Sequence, residues 1–169
     1  MTLPMYDRDR DAWTTPVAIV SLVREAFGKP IDLDPCSNRF SKVGARTAWN
    51  FADDGLSREW NRGKRLNIYV NPPYSKPAPW MARCLAAARS GARVIACVRC
   101  DTSTLWFRDC WKAEAICFPF SRVKFDPPPG VEASTPTFPV ALPLWARTGD
   151  PVIKRFAEAF AGLGKVVML

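Results

Sequence analysis

Residues 67–74 read Asn-Ile-Tyr-Val-Asn-Pro-Pro-Tyr, a short apolar run that ends in two prolines. The apolar residues predict a buried β-strand, and the prolines end it because they fix φ and lack an N–H donor. The backbone carbonyls and the side-chain oxygen of Asn71 then form a rigid row of acceptors beside the ring of Tyr74. This row suits a planar ligand that presents an amino group; the alternative is a stiff turn between a strand and a helix.

A second polar tip lies at residues 31–38, Ile-Asp-Leu-Asp-Pro-Cys-Ser-Asn, where a short strand stops at Pro35. Before it, Thr15 and Pro16 predict the N-cap and the first position of a helix that closes at Gly28. Strands and helices alternate along the chain, which predicts a three-layer α/β domain with a mostly parallel sheet. Ligands of such sheets bind beyond the carboxyl ends of the strands, so both tips are candidate site segments.

The remaining elements follow from hydrophobic periodicity and from the prolines and glycines that interrupt it. We predict strands at 47–51, 93–98, 115–118 and 165–169, and helices at 79–90, 104–112 and 151–161. A proline-rich loop at 127–130 separates two further stretches, 123–125 and 138–145, which we expect to pair as antiparallel edge strands. The length of 169 residues predicts a single domain over residues 1–169.

The chain is basic and contains no histidine. It has 24 Lys and Arg against 16 Asp and Glu, a net charge of +8. This balance is compatible with a polyanionic partner and equally with an ordinary basic surface, because the cations are dispersed. The missing histidine excludes Ser-His-Asp and Cys-His groupings and any metal site that needs histidine. No apolar run is long enough for a membrane span, and no apolar signal core is present, so we expect no membrane partner and a cytoplasmic location.

Six cysteines stand at positions 36, 84, 97, 100, 110 and 117. Without an export signal, we expect them to be reduced and structural rather than paired in disulfides. The alternative is a zinc site at the Cys97/Cys100 pair, but the spacing of Cys110 and Cys117 does not supply the second close pair that a four-cysteine site needs. We therefore predict no metal.

Several motifs, taken in order, resemble the phage-type DNA adenine-N6 methyltransferases, a Dam-like family that uses S-adenosylmethionine. The three strongest are Trp13-Thr14-Thr15-Pro16, Leu33-Asp34-Pro35-Cys36-Ser37-Asn38 and Asn71-Pro72-Pro73-Tyr74. Weaker similarities are Asp53-Asp54-Gly55-Leu56 with Trp60, Asp101-Thr102-Ser103-Thr104 with Trp106-Phe107, and Ser121-Arg122-Val123-Lys124-Phe125. The resemblance implies a Rossmann-like methyltransferase fold and methyl transfer to the N6 amine of adenine in DNA. At 169 residues, we expect the chain to hold no separate target-recognition domain.

The resemblance implies that residues 71–74, Asn71, Pro72, Pro73 and Tyr74, hold the target base. The side-chain oxygen of Asn71 and the carbonyl of Pro72 would accept hydrogen bonds from the exocyclic amine, which aims the nitrogen lone pair at the methyl donor. Tyr74 would stack on an adenine flipped out of the duplex. Such a transfer relies on positioning and electrostatics and requires no histidine.

Cofactor contacts are implied at two strand ends and at one helix. Thr15 and Pro16 lie at a helix N-terminus, where N–H groups suit the carboxylate of S-adenosylmethionine. Asp34 would face the methionine end of the cofactor, and Asp54 the adenosine end, with Asp53 as the alternative. The other implied contacts are Pro35, Cys36 and Asn38. The Gly-x-Gly that usually follows the first acid is absent, and this segment stands in its place.

Double-stranded DNA is the partner that the resemblance implies, with Lys76, Arg122 and Lys124 as candidate contacts to phosphates or bases. For Arg122 the alternative is a structural salt bridge. A phage or prophage enzyme would work in the cytoplasm of its bacterial host. The sequence indicates neither the oligomeric state nor the recognition site.

Other functions remain open on the motif alone. The same cofactor chemistry could act on cytosine N4, on adenine in RNA or on a glutamine amide in a protein. A basic DNA-binding module that has lost catalysis is the alternative without enzyme activity.

Overall fold

One mixed β-sheet with helices on both faces forms the part of the chain that the computed structural model describes, residues 13–134 and 136–169. The helices are α1 (Val17–Phe27), α2 (Pro77–Arg89) and α3 (Pro151–Phe160), with short 3-10 helices at Phe51–Asp53 and Trp106–Lys112. The strands are β1 (Leu33–Asp34), β2 (Thr47–Ala48), β3 (Asn67–Val70), β4 (Arg93–Ala96), β5 (Val98–Arg99), β6 (Ala115–Pro119), β7 (Val140–Trp145) and β8 (Gly164–Met168). These elements confirm the predicted alternation.

The strand order is β2-β1-β3-β4-β7-β6-β8, and β5 pairs with β7. Strands β2, β1, β3 and β4 are parallel, whereas β7 is antiparallel to both β4 and β6, and β8 is antiparallel to β6. The predicted α/β class is therefore confirmed. Because β7 is antiparallel to both neighbours, β6 runs in the same direction as β4. The carboxyl ends of β1, β3, β4 and β6 thus share one side of the sheet, called here the carboxyl edge.

The predicted pairing of residues 123–125 with residues 138–145 is wrong. Strand β7 lies between β4 and β6, and all six of its residues are buried. A strand covered on both faces reads as an unbroken apolar run, so its sequence fits an interior position better than an edge. Residues 123–125 form no strand; directly after them, Asp126 makes an isolated antiparallel bridge with Thr14.

Two apolar layers pack on the two faces of the sheet. Successive strand residues point to opposite faces, so Tyr69 of β3 packs with α1 and α3, while Ile68 and Val70 pack with α2. Helices α1 and α3 contact each other on their shared face, where the rings of Phe156 and Phe160 stack with centroids 4.5 Å apart. This arrangement is the three-layer architecture that the sequence predicts.

The start of α1 differs from its prediction. Pro16, rather than Thr15, is the N-cap residue, and its carbonyl accepts from the N–H groups of Ile19 and Val20. Thr15 caps nothing, because its hydroxyl is engaged elsewhere in the protein. The predicted end is confirmed: Gly28 adopts φ +63°, and its N–H donates to the carbonyls of Arg24 and Glu25.

At the opposite side of the sheet, Asp150 joins α3 to the strands. Its carboxylate caps α3 by accepting from the N–H of Val152 at 2.9 Å, and it pairs with Arg93 and with Arg65. These hydrogen bonds and charges hold the pKa of Asp150 at about 2, although its burial acts the other way. Asp150 is therefore the N-cap of α3, and it also forms a buried ion pair with Arg93.

All six cysteines are free, as predicted, and Cys84, Cys97, Cys110 and Cys117 are buried. Across residues 13–134 and 136–169, no group of three or more histidine, cysteine or carboxylate side chains is placed to hold a metal ion. The helices of the same residues are all too short or too polar to cross a bilayer.

Candidate active site

A small polar pocket opens at the carboxyl edge, between the start of α1 and the tips of β1 and β3. It is lined by Thr14, Thr15, Asp34, Cys36, Ser37, Asn38, Ser41, Val43 and Asn71. Strands β1 and β3 are parallel neighbours, with Leu33 opposite Ile68, so the residues that follow them meet at one point. The structure therefore brings together residues that are predicted from two separate motifs.

Asn71 holds an unused acceptor inside this pocket. Its side-chain nitrogen lies 3.5 Å from the carbonyl oxygen of Trp13, which can only accept, so the amide oxygen faces the other way. That Oδ1 is buried and makes no hydrogen bond with the described part of the chain. The backbone carbonyl of Asn71 accepts from the thiol of Cys36 at 3.3 Å, which fixes the tip of β3 against the tip of β1.

A buried polar atom without a partner destabilises a fold, so it calls for an explanation. An amino group of a ligand would supply a donor to the Asn71 Oδ1. The role of Asn71 in holding the amine of a target base stays a prediction.

Asp34 places a buried carboxyl group in the same pocket. Its side chain accepts from the N–H of Cys36 at 3.3 Å and from the hydroxyl of Ser41 at 3.4 Å. Burial raises the pKa of Asp34 from 3.8 to about 6, and these hydrogen bonds limit the rise. At neutral pH the group is therefore mostly ionised, and it presents a negative charge to a cationic or hydroxyl-bearing ligand.

Thr15 is anchored by Tyr69 of β3. The hydroxyl oxygen of Thr15 lies 2.8 Å from the phenol oxygen of Tyr69, and both residues are buried. Burial also raises the pKa of the Tyr69 phenol well above its usual range, so the group stays protonated. The bond fixes the chain just before α1 against the strand that carries Asn71.

Tyr74 is held by its hydroxyl and by two aromatic ring contacts. The hydroxyl donates to the carbonyl of Cys97 at 3.4 Å, on the sheet side. The ring meets Phe125 and Phe138 nearly edge to face, with centroids 6.0 and 5.4 Å away. Burial raises the pKa of the phenol well above its usual range, so Tyr74 keeps its proton and offers a ring rather than a base.

The other predicted cofactor residues lie beside the pocket rather than in its lining. Pro16 caps α1, and Pro35 is buried behind the tip of β1. Asp54 is exposed at the end of the Phe51–Asp53 helix. A Cβ on the adjoining Gly55 would lie 1.9 Å from the carbonyl oxygen of Pro35, so this turn packs directly on the β1 tip. The contact of Asp54 with the adenosine end of a cofactor stays a prediction.

Asp53, the alternative to Asp54, is already engaged. Its carboxylate accepts from the N–H of Asn50 and pairs with Arg58 at 3.2 Å.

The three predicted DNA contacts are all exposed: Lys76, Arg122 and Lys124. Within residues 13–134 and 136–169, none of them forms an ion pair. The alternative of a structural salt bridge for Arg122 therefore has no carboxylate in this part of the chain. Their charges are available to a partner.

Several residues of the site were missed at the sequence level. The pocket lining includes Thr14, Ser37, Ser41 and Val43, and the base-holding motif depends on Tyr69, Phe125 and Phe138. Ser37 lies inside a quoted motif, so its position beyond β1 was the available signal. The two phenylalanines contact Tyr74 from far along the chain, which no local pattern shows.

The fold and the polar pocket at its carboxyl edge define a Rossmann-like α/β domain of the methyltransferase type. A family model described as DNA N-6-adenine-methyltransferase (Dam) matches residues 4–141, and the chain belongs to this family.

Among curated proteins, a DNA N-6-adenine-methyltransferase of Escherichia phage T1 is 28% identical to this chain over 103 residues. The match covers 61% of this chain and 42% of the relative, so the chain spans about two fifths of the length of that protein. No solved structure matches the chain.

Proposed function

We propose that the chain is an S-adenosylmethionine-dependent methyltransferase that modifies the N6 amine of adenine in double-stranded DNA. Its membership of the Dam family supports this proposal. The observation that carries it is the buried Oδ1 of Asn71 in the pocket at the carboxyl edge, which has no hydrogen-bond partner within residues 13–134 and 136–169. An exocyclic amine is the donor that this oxygen lacks.

The pocket fits the polar groups of S-adenosylmethionine, which supplies an electrophilic methyl group when bound. Asp34 offers a buried carboxylate for the cofactor ammonium group, and the N-terminus of α1 beside Thr15 suits its carboxylate. Cys36 and Asn38 complete the wall next to Asn71. This donor and acceptor set suits a small zwitterion better than an apolar ligand.

The chain contributes positioning to the reaction. The Oδ1 of Asn71 and the carbonyl of Pro72 accept the two amino hydrogens of the adenine, which draws the nitrogen lone pair out of conjugation with the ring. The nitrogen then becomes a better nucleophile without a strong base, and its surplus proton passes to solvent. Fixed acceptors of this kind act without reorganising during the reaction.

Tyr74 supplies the face for the base. The two ring contacts with Phe125 and Phe138 and the hydrogen bond to Cys97 orient the phenol ring before the substrate arrives. Stacking on such a ring is available only to a base that has left the duplex.

The exposed cations Lys76, Arg122 and Lys124 supply phosphate contacts at the carboxyl edge. Within this chain, loops at the carboxyl edge would meet the bases, and the reaction takes place in the cytoplasm of a bacterial host. Neither metal nor membrane enters the proposal.

The test is a product assay. The chain is incubated with labelled S-adenosylmethionine and unmethylated duplex DNA, and the digested nucleosides are separated. We expect the label in N6-methyladenine. Label in N4-methylcytosine, or only in RNA or protein supplied in parallel, would assign another acceptor. Cofactor binding without label in DNA across several sequences would refute the proposal.

The alternative of an inactive DNA-binding module predicts salt-sensitive DNA binding and no heat of binding with S-adenosylmethionine. The polar pocket and the unused Asn71 acceptor argue against it, because a module without catalysis gains nothing from an orphaned buried oxygen.

A further inference from the structure

Three apolar side chains protrude at the carboxyl edge. Leu105 is 76% exposed, Phe120 74% and Phe51 64%, and these are the most exposed large apolar side chains in residues 13–134 and 136–169. Leu105 follows β5, Phe120 follows β6 and Phe51 follows β2. All three therefore lie at the carboxyl edge, as Asn71 does. They are spread along this edge, and of the three only Phe120 is followed within four residues by two exposed cations, Arg122 and Lys124.

Phe120 stands on a rigid base. It follows the last residue pair of β6 and β8, Pro119 opposite Gly164, and its N–H donates to the carbonyl of Leu163 at 3.1 Å. A Cβ at Gly164 would lie 2.2 Å from the carbonyl oxygen of Phe118, so the two strands meet closely here. Phe120 is therefore an exposed ring at a fixed strand end.

The segment after Phe120 connects that ring to the candidate active site. Val123 and Phe125 are buried, and Phe125 packs against Tyr74, whereas Arg122 and Lys124 are exposed. The alternation places the two cations on the outer side of the segment. Phe120 and Phe125 are five residues apart, so at most about 17 Å separates them. This distance is comparable to the width of the DNA major groove, roughly 12 Å.

The exposed ring of Phe120 and the two exposed cations determine which class of partner suits this segment. Arg122 and Lys124 form no ion pair within residues 13–134 and 136–169, and together with the ring they suit a polyanion that can also expose flat apolar faces. Duplex DNA offers its phosphates and, once a base leaves the stack, the faces of the neighbouring bases. Phe120 has no ring contact with the described part of the chain, so its faces are available for stacking.

We propose that Phe120 inserts into the base stack of the DNA and fills the space left by the flipped adenine. This inference rests on the proposed function, because only an enzyme that extrudes its target base leaves such a space. An inserted aromatic ring restores part of the stacking that flipping removes, and it slows the return of the base.

Leu105 and Phe51 fit this role less well. Leu105 lacks a ring, and it directly precedes the Trp106–Lys112 helix. Phe51 opens the short helix after β2, at the far end of the sheet from β6. Both therefore serve as comparison positions at the same edge.

The test compares Phe120→Ala with Phe51→Ala on two DNA substrates. One is a duplex with the target adenine paired, and the other is the same duplex with that adenine opposite an abasic position. We expect Phe120→Ala to lower kcat/KM at least tenfold on the paired substrate and less than threefold on the unpaired one. Phe51→Ala leaves both values within twofold, and Phe120→Tyr restores activity on the paired duplex because it keeps a ring.

A second measurement reports flipping directly. With 2-aminopurine at the target position, the wild-type chain should raise its fluorescence, and Phe120→Ala should lose most of that rise while remaining folded. Equal losses on both DNA substrates, no loss, or the same selective loss from Leu105→Ala or Phe51→Ala would overturn the proposal. If the wild-type chain makes no N6-methyladenine on either substrate, the proposed function fails and this inference with it. Normal wild-type methylation beside an unaffected Phe120→Ala overturns the inference alone.

Discussion

The hydroxyl oxygen of Thr15 lies 2.8 Å from the phenol oxygen of Tyr69, and both side chains are buried. This bond links residues 54 positions apart and ties the start of α1 to β3, the strand that directly precedes Asn71. The residues predicted to hold the cofactor and those predicted to hold the base therefore share one anchor.

Tyr69→Phe should weaken this anchor, since it leaves the Thr15 hydroxyl buried without its partner. We expect a loss of about 1–2 kcal/mol in the free energy of unfolding and a several-fold weaker affinity for S-adenosylmethionine. Urea unfolding and titration calorimetry measure the two effects. The double variant Thr15→Val with Tyr69→Phe should regain part of the stability, because neither polar group is then orphaned. A single variant as stable as the wild type would contradict the role.

Asn71→Ala should separate activity from stability. Because the Asn71 Oδ1 is unpartnered, its removal should leave the unfolding temperature unchanged or raise it, while turnover falls roughly 100-fold or more. Cofactor affinity should stay near normal.

The matched control for that experiment is Asn61→Ala. Asn61 is buried and donates to the carbonyls of Lys64, Ala87 and Ser90, so its loss should lower the unfolding temperature without abolishing turnover. Wild-type methylation rates in Asn71→Ala would refute the assigned role.

Tyr74 should act through its ring and not through its hydroxyl. The hydroxyl points at Cys97, on the sheet side, so Tyr74→Phe should retain activity within about threefold, a cost of one weak hydrogen bond. Tyr74→Ala should lose far more, because it removes the stacking face that Phe125 and Phe138 support. Steady-state kinetics on one DNA duplex decides between them; equal losses in both variants would favour a role for the phenol.

Asp34 should make stability depend on pH below neutrality. Its pKa is about 6 in the folded chain and 3.8 when unperturbed, so between these values the folded state binds more protons than the unfolded state. The free energy of unfolding therefore falls as pH rises through this window, by roughly 3 kcal/mol, and the contribution is constant above it.

The variant Asp34→Asn lacks this titration. Its free energy of unfolding should therefore rise relative to that of the wild type as pH rises from 4 to 7. Urea unfolding at several pH values gives the difference between the two chains, which removes the opposite contribution of Asp150. Parallel curves for the two chains would contradict the expectation. Asp54→Asn, at an exposed carboxylate, is the control and should follow the wild type.

Much of the site was predictable because prolines mark the strand ends. Pro35 and Pro72 stop β1 and β3, so the residues beside them had to emerge at the carboxyl edge. Helix ends were equally local, as Gly28 and Asp150 show. These signals depend on φ and on orphaned N–H groups, which neighbouring residues alone determine.

The predictions that are wrong all depend on contacts between residues that are distant in sequence. Thr15 reads as a cap until Tyr69 is known to take its hydroxyl. The unbroken apolar run at β7 fits an interior strand, but its partners β4 and β6 are distant in sequence, and its own residues do not identify them.

The separation along the chain between the pocket and the rings that hold Tyr74 has a consequence for biosynthesis. The pocket side chains lie between Thr14 and Asn71, whereas the rings come from Phe125 and Phe138. A nascent polypeptide leaving the ribosome thus carries every lining residue of the polar pocket well before it can orient Tyr74. A product truncated after β4 would retain those residues and have nothing to hold the aromatic face in place.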